Sequence, residues 1–205
     1  MPKRVFIIDD DPSVRKGLAR LIKSAGFHPE PLASAEGFLQ KTRFNGPACL
    51  VLDVRMPGLS GIDLQKEMIK KGISLPVIFI TGHGNIPMSV NAMKDGAVDF
   101  LPKPFDDTQL LSAIERAINK NIRMRKNLSE KEKIQRRIKL LTPREYDVLR
   151  WVITGRLNKQ IAAKLGVTEK TVKVHRGRLM QKMQVKSVAE LVVLTQKCEI
   201  GSPKR

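Results

Sequence analysis

The sequence predicts a doubly wound α/β domain with a five-stranded parallel sheet, then a helical linker and a small all-α domain of four helices. Three observations predict it. Short apolar runs alternate with amphipathic helical patterns over roughly the first 120 residues, as a βα repeat requires. Chemically distinctive residues (Asp9, Asp53, Thr81 and Lys103) sit just past successive runs. Charge is divided unevenly. Residues 1–120 hold 16 Lys and Arg against 13 Asp and Glu, a net +3, whereas residues 121–205 hold 22 against 7, a net +15.

The strand-like runs are residues 5–8, a weaker one near 27–32, then 50–52, 77–80 and 98–101. Helical spacing gives inward faces at Leu18, Leu21 and Ile22, at Leu64, Met68 and Ile69, and at Val90, Met93 and Ala97. A last face, from about Asp106, presents Leu110, Leu111, Ile114 and Ile118. Five strands alternating with five helices predict a parallel sheet covered on both sides. Residues 1–120 are the expected first domain and 121–138 a basic helical linker without Pro or Gly. Its heptads are too broken for a coiled coil. Residues 139–200 are the expected second domain. Thr142, Pro143 and Glu145 predict a capped helix start, and Gly155 a stop. A helix over about 158–165, a turn at Gly166, a helix after Thr168 and a last helix near 188–196 follow. Tyr146 and Trp151 are read as core residues. Val188, Leu191, Val192 and Thr195 form a stripe suited to packing or to pairing with a second copy.

In a parallel α/β sheet, residues past the carboxyl ends of strands converge on one edge. Asp9, Asp10, Asp53, Thr81 and Lys103 therefore share one pocket. A hard cation such as magnesium takes oxygen ligands, which Asp10 and Asp53 supply, with Asp9 beside them and the Arg55 carbonyl in reach. Asp53 is placed to attack phosphorus and form an acyl phosphate. Magnesium and Lys103 would neutralise charge on the transferring oxygens, and Thr81 would hydrogen-bond them.

The segments Ile7-Ile8-Asp9-Asp10-Asp11, Leu52-Asp53-Val54-Arg55-Met56-Pro57-Gly58, Ile80-Thr81-Gly82-His83-Gly84 and Lys103-Pro104-Phe105 resemble the receiver domain of two-component response regulators. The second and third resemble its FixJ-like branch. The resemblance implies a CheY-like fold, Asp53 as phosphoacceptor, Asp9 and Asp10 as the magnesium site, and Thr81 and Lys103 as phosphoryl contacts. It also implies Phe100 as an aromatic that turns inward when Thr81 moves. His83 reads as a loop residue.

Residues 168–178 form a helix with an apolar stripe and a basic one. Val172, Leu179 and Met183 face inward; Lys170, Lys173, Val174, Gly177 and Arg178 face out. With the preceding helix and the Gly166 turn this is a helix-turn-helix, and a helix fits the DNA major groove. The runs Leu-Thr-Pro-Arg-Glu, Asn-Lys-Gln-Ile-Ala, Thr-Val-Lys-Val-His-Arg and Ala-Glu-Leu-Val resemble the LuxR/NarL-type effector domain. The resemblance implies that Lys173 and Val174 read base edges. Lys170, Arg176, Arg178 and Lys182 would contact phosphates, with Thr171 at the same interface. Gly177 stands where relatives carry a long polar side chain. His175 points sideways.

Together these readings give a transcription regulator, not an enzyme. A sensor histidine kinase would phosphorylate Asp53 with magnesium as the only cofactor. Phosphorylation would favour a homodimer through the receiver; the resemblance implies dimer surfaces near residues 88–106 and on the last helix. The pair would bind two DNA half-sites, with RNA polymerase a further partner and activation the expected outcome. The net charge suits a polyanion, and no lipidation motif or anchor helix points to a membrane. The apolar run before Asp9 is too short for a signal peptide, and no stretch approaches the roughly 20 apolar residues of a membrane span. Cys49 and Cys198 lack partner spacing and read as reduced thiols of a cytoplasmic protein. Two readings compete. One is a phosphorylation-independent DNA-binding protein with a vestigial receiver, against which the intact pocket counts. The other is a metal-dependent phosphohydrolase of the haloacid-dehalogenase type. Those enzymes carry the nucleophile after the first strand, whereas Asp53 follows the third, and no substrate cap is evident.

Overall fold

A computed structural model describes residues 2–41, 44–82, 86–198 and 200–201. The chain forms two compact units, Met1–Arg125 and Lys126–Arg205.

The first unit begins with β1 (Arg4–Ile8), α1 (Pro12–Ser24), β2 (His28–Leu32), α2 (Ala35–Leu39) and β3 (Ala48–Asp53). Next come α3 (Gly61–Lys70), β4 (Val77–Thr81), α4 (Ile86–Lys94), β5 (Asp99–Pro102) and α5 (Asp107–Lys139). The sheet is parallel throughout, in the order β2-β1-β3-β4-β5. Strand side chains alternate between faces, and here both faces are buried. Phe6, Ile8, Leu50, Leu52 and Phe79 pack with Phe38, Leu64, Met68 and Ala92 of α2, α3 and α4. Val5, Ile7, Val51, Ile78 and Ile80 pack with Leu18 and Ile22 of α1 and Leu110 and Ile114 of α5. Each such fully buried side chain contributes ~2 kcal/mol, and this sandwich holds the strand ends rigid.

Two inward faces differ from expectation. On α3, Leu64 and Met68 are buried but Ile69 is 59 % exposed. The interior position goes to Gln65, whose Nε2 donates to the Asp95 carbonyl at 3.2 Å. On α4, Val90 and Met93 are 43 % and 45 % exposed, and the small Ala92 packs against the sheet. The apolar side chains of α4 outnumber those its contact with the sheet can hold, and the surplus faces solvent.

Residues 121–138 lie within α5. Asn121 is buried in the first unit, where its Oδ1 accepts the Ala48 amide at 3.1 Å. Ile134 is buried in the second. Cys49 and Cys198 are free thiols, and burial pushes the Cys49 thiol far up.

The second unit continues with α6 (Pro143–Val152), α7 (Asn158–Leu165), α8 (Glu169–Met183) and α9 (Val188–Lys197). Thr142 caps α6 in a capping box. Its Oγ1 accepts the Glu145 amide at 3.3 Å, and its own amide donates to Glu145 Oε2 at 2.9 Å. Gly166, at φ +65°, ends α7 in the left-handed conformation that glycine adopts without a Cβ clash. Thr168 starts α8 by accepting the Thr171 amide at 3.2 Å. The core gathers Val148, Leu149, Val152, Ile161, Val172, Leu179, Met183 and Leu191 around Ile134. Leu191 and Thr195 of the α9 stripe are buried. Trp151 is half-buried against this core, with the Arg156 guanidinium 5.1 Å over its ring. Tyr146, expected in the core, is 37 % exposed because its face of α6 turns outward.

Candidate functional site

Adjacent strands place β1, β3 and β4 side by side, so Asp9, Asp53 and Thr81 meet at one sheet edge. Asp9 and Asp53 are buried carboxylates, and Thr81 is buried beside them. Lys103, just past β5, joins them. Its Nζ donates to Asp9 Oδ2 and Asp53 Oδ1, both at 2.8 Å. Its amide donates to the Thr81 carbonyl at 2.7 Å, so one residue is tied to three strand ends. The second Asp53 oxygen accepts the Arg55 amide at 2.7 Å, and Asp9 Oδ1 accepts the Asp11 amide at 2.9 Å.

Asp10 and Arg55 are exposed at the rim. Asp11 is the cap of α1, accepting the Ser13 and Val14 amides. Phe100 is half-buried, its ring 6.0 Å from that of Phe79. His83, and Gly84 of the same motif, lie outside the described residues.

Burial, reinforced by the charge of Asp9, holds the Asp53 carboxyl above the ordinary aspartate range, although Lys103 and the Arg55 amide oppose the shift. Burial also works against the Lys103 ammonium, but its bonds to Asp53 and Asp9 outweigh that and raise its pKa. Two acids thus share one base, and Asp10 adds a third carboxylate at the rim. Among the described residues, no three His, Cys, Asp or Glu side chains form a preassembled metal cage. The donor set is nevertheless all oxygen and holds an excess of negative charge, which suits a hard divalent cation that retains part of its water shell.

Three supporting residues escaped the sequence reading. Arg15 Nη1 donates to the Asp9 carbonyl at 2.7 Å from the first turn of α1. Its place four residues after Asp11 is the only local signal. Glu36 accepts the Leu59 amide at 3.2 Å and anchors the loop after β3. Gly61 passes so close that a Cβ would lie 2.2 Å from the Asp53 carbonyl oxygen. A glycine after Ser60 at a helix start was the available hint.

On α8, Lys170, Lys173, Val174, Gly177 and Arg178 are exposed, while Val172, Leu179 and Met183 are buried. Three of the expected interface side chains are engaged within the unit. Thr171 Oγ1 lies 2.8 Å from Thr168 Oγ1 at the helix cap. Arg176 Nη1 donates to Asn158 Oδ1 at 2.9 Å and ties α8 to α7. Lys182 Nζ donates to the buried Glu145 Oε2 at 2.6 Å, which directs it toward α6. Burial alone would raise the Glu145 pKa. The Lys182 bond and the Thr142 amide outweigh it and hold the carboxyl below the ordinary range. His175 is half-buried on the flank of α8.

A sheet edge with this acid–lysine–threonine set, in a chain whose other unit is built on a helix-turn-helix, defines a class. Residues 5–115 match the response regulator receiver domain, and residues 139–195 match the bacterial regulatory proteins of the luxR family. The chain belongs to the two-component response regulators that join a receiver to a LuxR-type DNA-binding domain. Nodulation protein W of Bradyrhizobium diazoefficiens is 45 % identical over 198 residues, covering 97 % of this chain and 87 % of that protein. Transcriptional regulatory protein FixJ of Rhizobium meliloti is 43 % identical over 188 residues, covering 92 % of each. Among solved structures, the response regulator StyR superimposes with a TM-score of 0.85 at 48 % identity, covering 96 % of this chain and 100 % of that one. No helix among the described residues is long and apolar enough to cross a membrane.

Proposed function

We propose that Asp53 is the phosphoacceptor, that its phosphorylation by a sensor histidine kinase pairs two copies of the chain, and that the pair binds promoter half-sites. The observation that carries this is the Lys103 ammonium, 2.8 Å from both Asp9 and Asp53 at adjoining strand ends. A carboxylate oxygen of Asp53 bonds to phosphorus as the donor's own bond to phosphorus breaks. Lys103 is positioned to follow the negative charge onto the phosphoryl oxygens. Thr81 donates its hydroxyl to one of them. The Asp9, Asp10 and Asp53 carboxylates and the Arg55 carbonyl would hold magnesium, which supplies Lewis-acid charge neutralisation when bound. Removing Thr81 from its resting place frees room for Phe100 to turn inward. Such a switch requires a group that stabilises one state over the other, and the phosphoryl group is that group.

Dimerisation follows through α4, whose exposed Ile86, Val90 and Met93 form an apolar face within or beside the expected segment 88–106. Lys173 and Val174 read base edges, and Lys170 and Arg178 position α8 on phosphates. The regulator acts in the cytoplasm and activates transcription by contacting RNA polymerase.

The test treats the chain with magnesium and acetyl phosphate and compares it with Asp53→Asn by phosphate-affinity gel and light scattering. The expected result is a shifted band, absent in the variant, accompanied by doubled mass. A shifted band without doubling keeps the phosphoacceptor but removes dimerisation from the switch. No shift supports phosphorylation-independent DNA binding.

A further inference from the structure

We infer that the last turns of α5 carry a second phosphate-binding surface for duplex DNA, separate from α8. This rests on the DNA-binding reading of the second unit. Residues 126–139 hold six Lys and Arg against two Glu. Ile134 and Ile138, one turn apart, face the core. By the 3.6-residue period, Arg136 lies opposite Ile134, flanked by Lys126, Lys133 and Lys139. All four cations are exposed, and no described carboxylate is in ion-pair contact with them. Of the two acids, Glu130 is bound to Lys197 at 2.8 Å and also feels the charges of Lys126 and Lys133, and Glu132 shares the outward face, so two acids stand against six cations.

Three points favour DNA phosphates as the occupant. First, Arg137 Nη1 donates to the Met183 carbonyl at the end of α8, at 3.1 Å, so the end of α5 that carries this face is tied to the recognition helix within one compact unit. Second, from Lys126 to Lys139 the helix spans ~20 Å, the axial length of about six phosphates of one strand. Third, a membrane-surface helix needs an apolar stripe beside its charges. Here the isoleucines are buried, and Leu128 is the one large apolar side chain exposed in residues 126–139.

The test measures the full chain binding a 30-base-pair mixed-sequence duplex by fluorescence anisotropy from 50 to 200 mM KCl. It compares wild type with Lys126→Gln/Lys133→Gln, Arg136→Gln/Lys139→Gln and all four together. With two phosphates contacted at ~0.9 each, the slope of log K against log salt becomes shallower by about 2 in the fourfold variant. Each pair takes about half. Affinity falls at least tenfold at the lowest salt, and the pairwise variants keep the result readable if the fourfold chain misfolds. An unchanged slope with wild-type binding intact overturns the inference alone. Loss of binding to phosphatidylglycerol vesicles with the DNA slope retained overturns it in favour of a membrane. A wild-type chain that binds no duplex removes the DNA-binding reading itself.

Discussion

Replacing Lys182 by Met strips the cation from a buried carboxylate. Glu145 is almost fully buried, and Lys182 is about one-third exposed. Breaking a fully buried pair costs about 3–5 kcal/mol, and an exposed one about 0–1. Solvent at the lysine and the remaining Thr142 amide put this pair between them, at about 2 kcal/mol. For a unit of this size that is a fall in Tm of roughly 8–16 °C. The chain's one tryptophan, Trp151, lies in α6 of the same unit, so its fluorescence in urea reports this unit's unfolding. The pH dependence separates a charge effect from lost packing. In the wild type the Glu145 pKa lies below its ordinary value. Its contribution is complete above the unfolded pKa, about 4.3, and is lost as pH falls through the folded value. In the variant, burial is left to dominate and the folded pKa rises. The penalty is then full at neutral pH and is relieved as pH falls. The deficit of Lys182→Met therefore shrinks on acidification. A deficit below about 0.5 kcal/mol at pH 7, or one that grows in acid, refutes the reasoning. Because Lys182 is directed at Glu145, the salt dependence of DNA binding by the still-folded variant stays at its wild-type slope.

Three further outcomes follow from the receiver. In magnesium-free buffer, Asp53→Asn raises the melting temperature at pH 7, since burial holds the Asp53 pKa high. That strain is present at neutral pH and absent below the ordinary aspartate range, about 3.9, so the gain vanishes in acid; calorimetry across pH checks it. Gly61→Ala drives a Cβ into the Asp53 carbonyl, costs about 2 kcal/mol, and slows acetyl phosphate labelling while leaving duplex binding intact. Val90→Glu with Met93→Glu changes stability by less than about 0.5 kcal/mol, because both residues are exposed, yet abolishes mass doubling on phosphorylation.

The sheet and its acidic edge were legible because local identity marks them. Apolar runs end in Asp, Thr or Lys, and parallel strands bring those ends together. The capping box at Thr142 and the Gly166 turn were equally local. Helix α2 was expected from the alternation but could not be located, since five residues are too few for a 3.6-residue period to register. The α4 face misled because Val90 and Met93 follow a helical spacing that only tertiary contact can orient. Pairings between distant residues escaped for the same reason. Arg176 meets Asn158 across 18 positions, and Lys182 meets Glu145 across 37, so neither spacing predicts contact. Their basic character suggested phosphate, whereas folding commits them to partners inside the unit.

Ile134 lies inside the core of the second unit, five residues before the segment that matches the luxR family begins. Sequence motif and folding unit therefore have different edges. A fragment cut at residue 139 would carry every recognition residue, yet leave a hole where Ile134 sat and lose the Arg137 bond to Met183. A fragment cut at residue 126 takes its own keystone along. The same holds for recombination between regulators. An output module exchanged at the motif's edge arrives with its core open to water, whereas one exchanged upstream arrives complete.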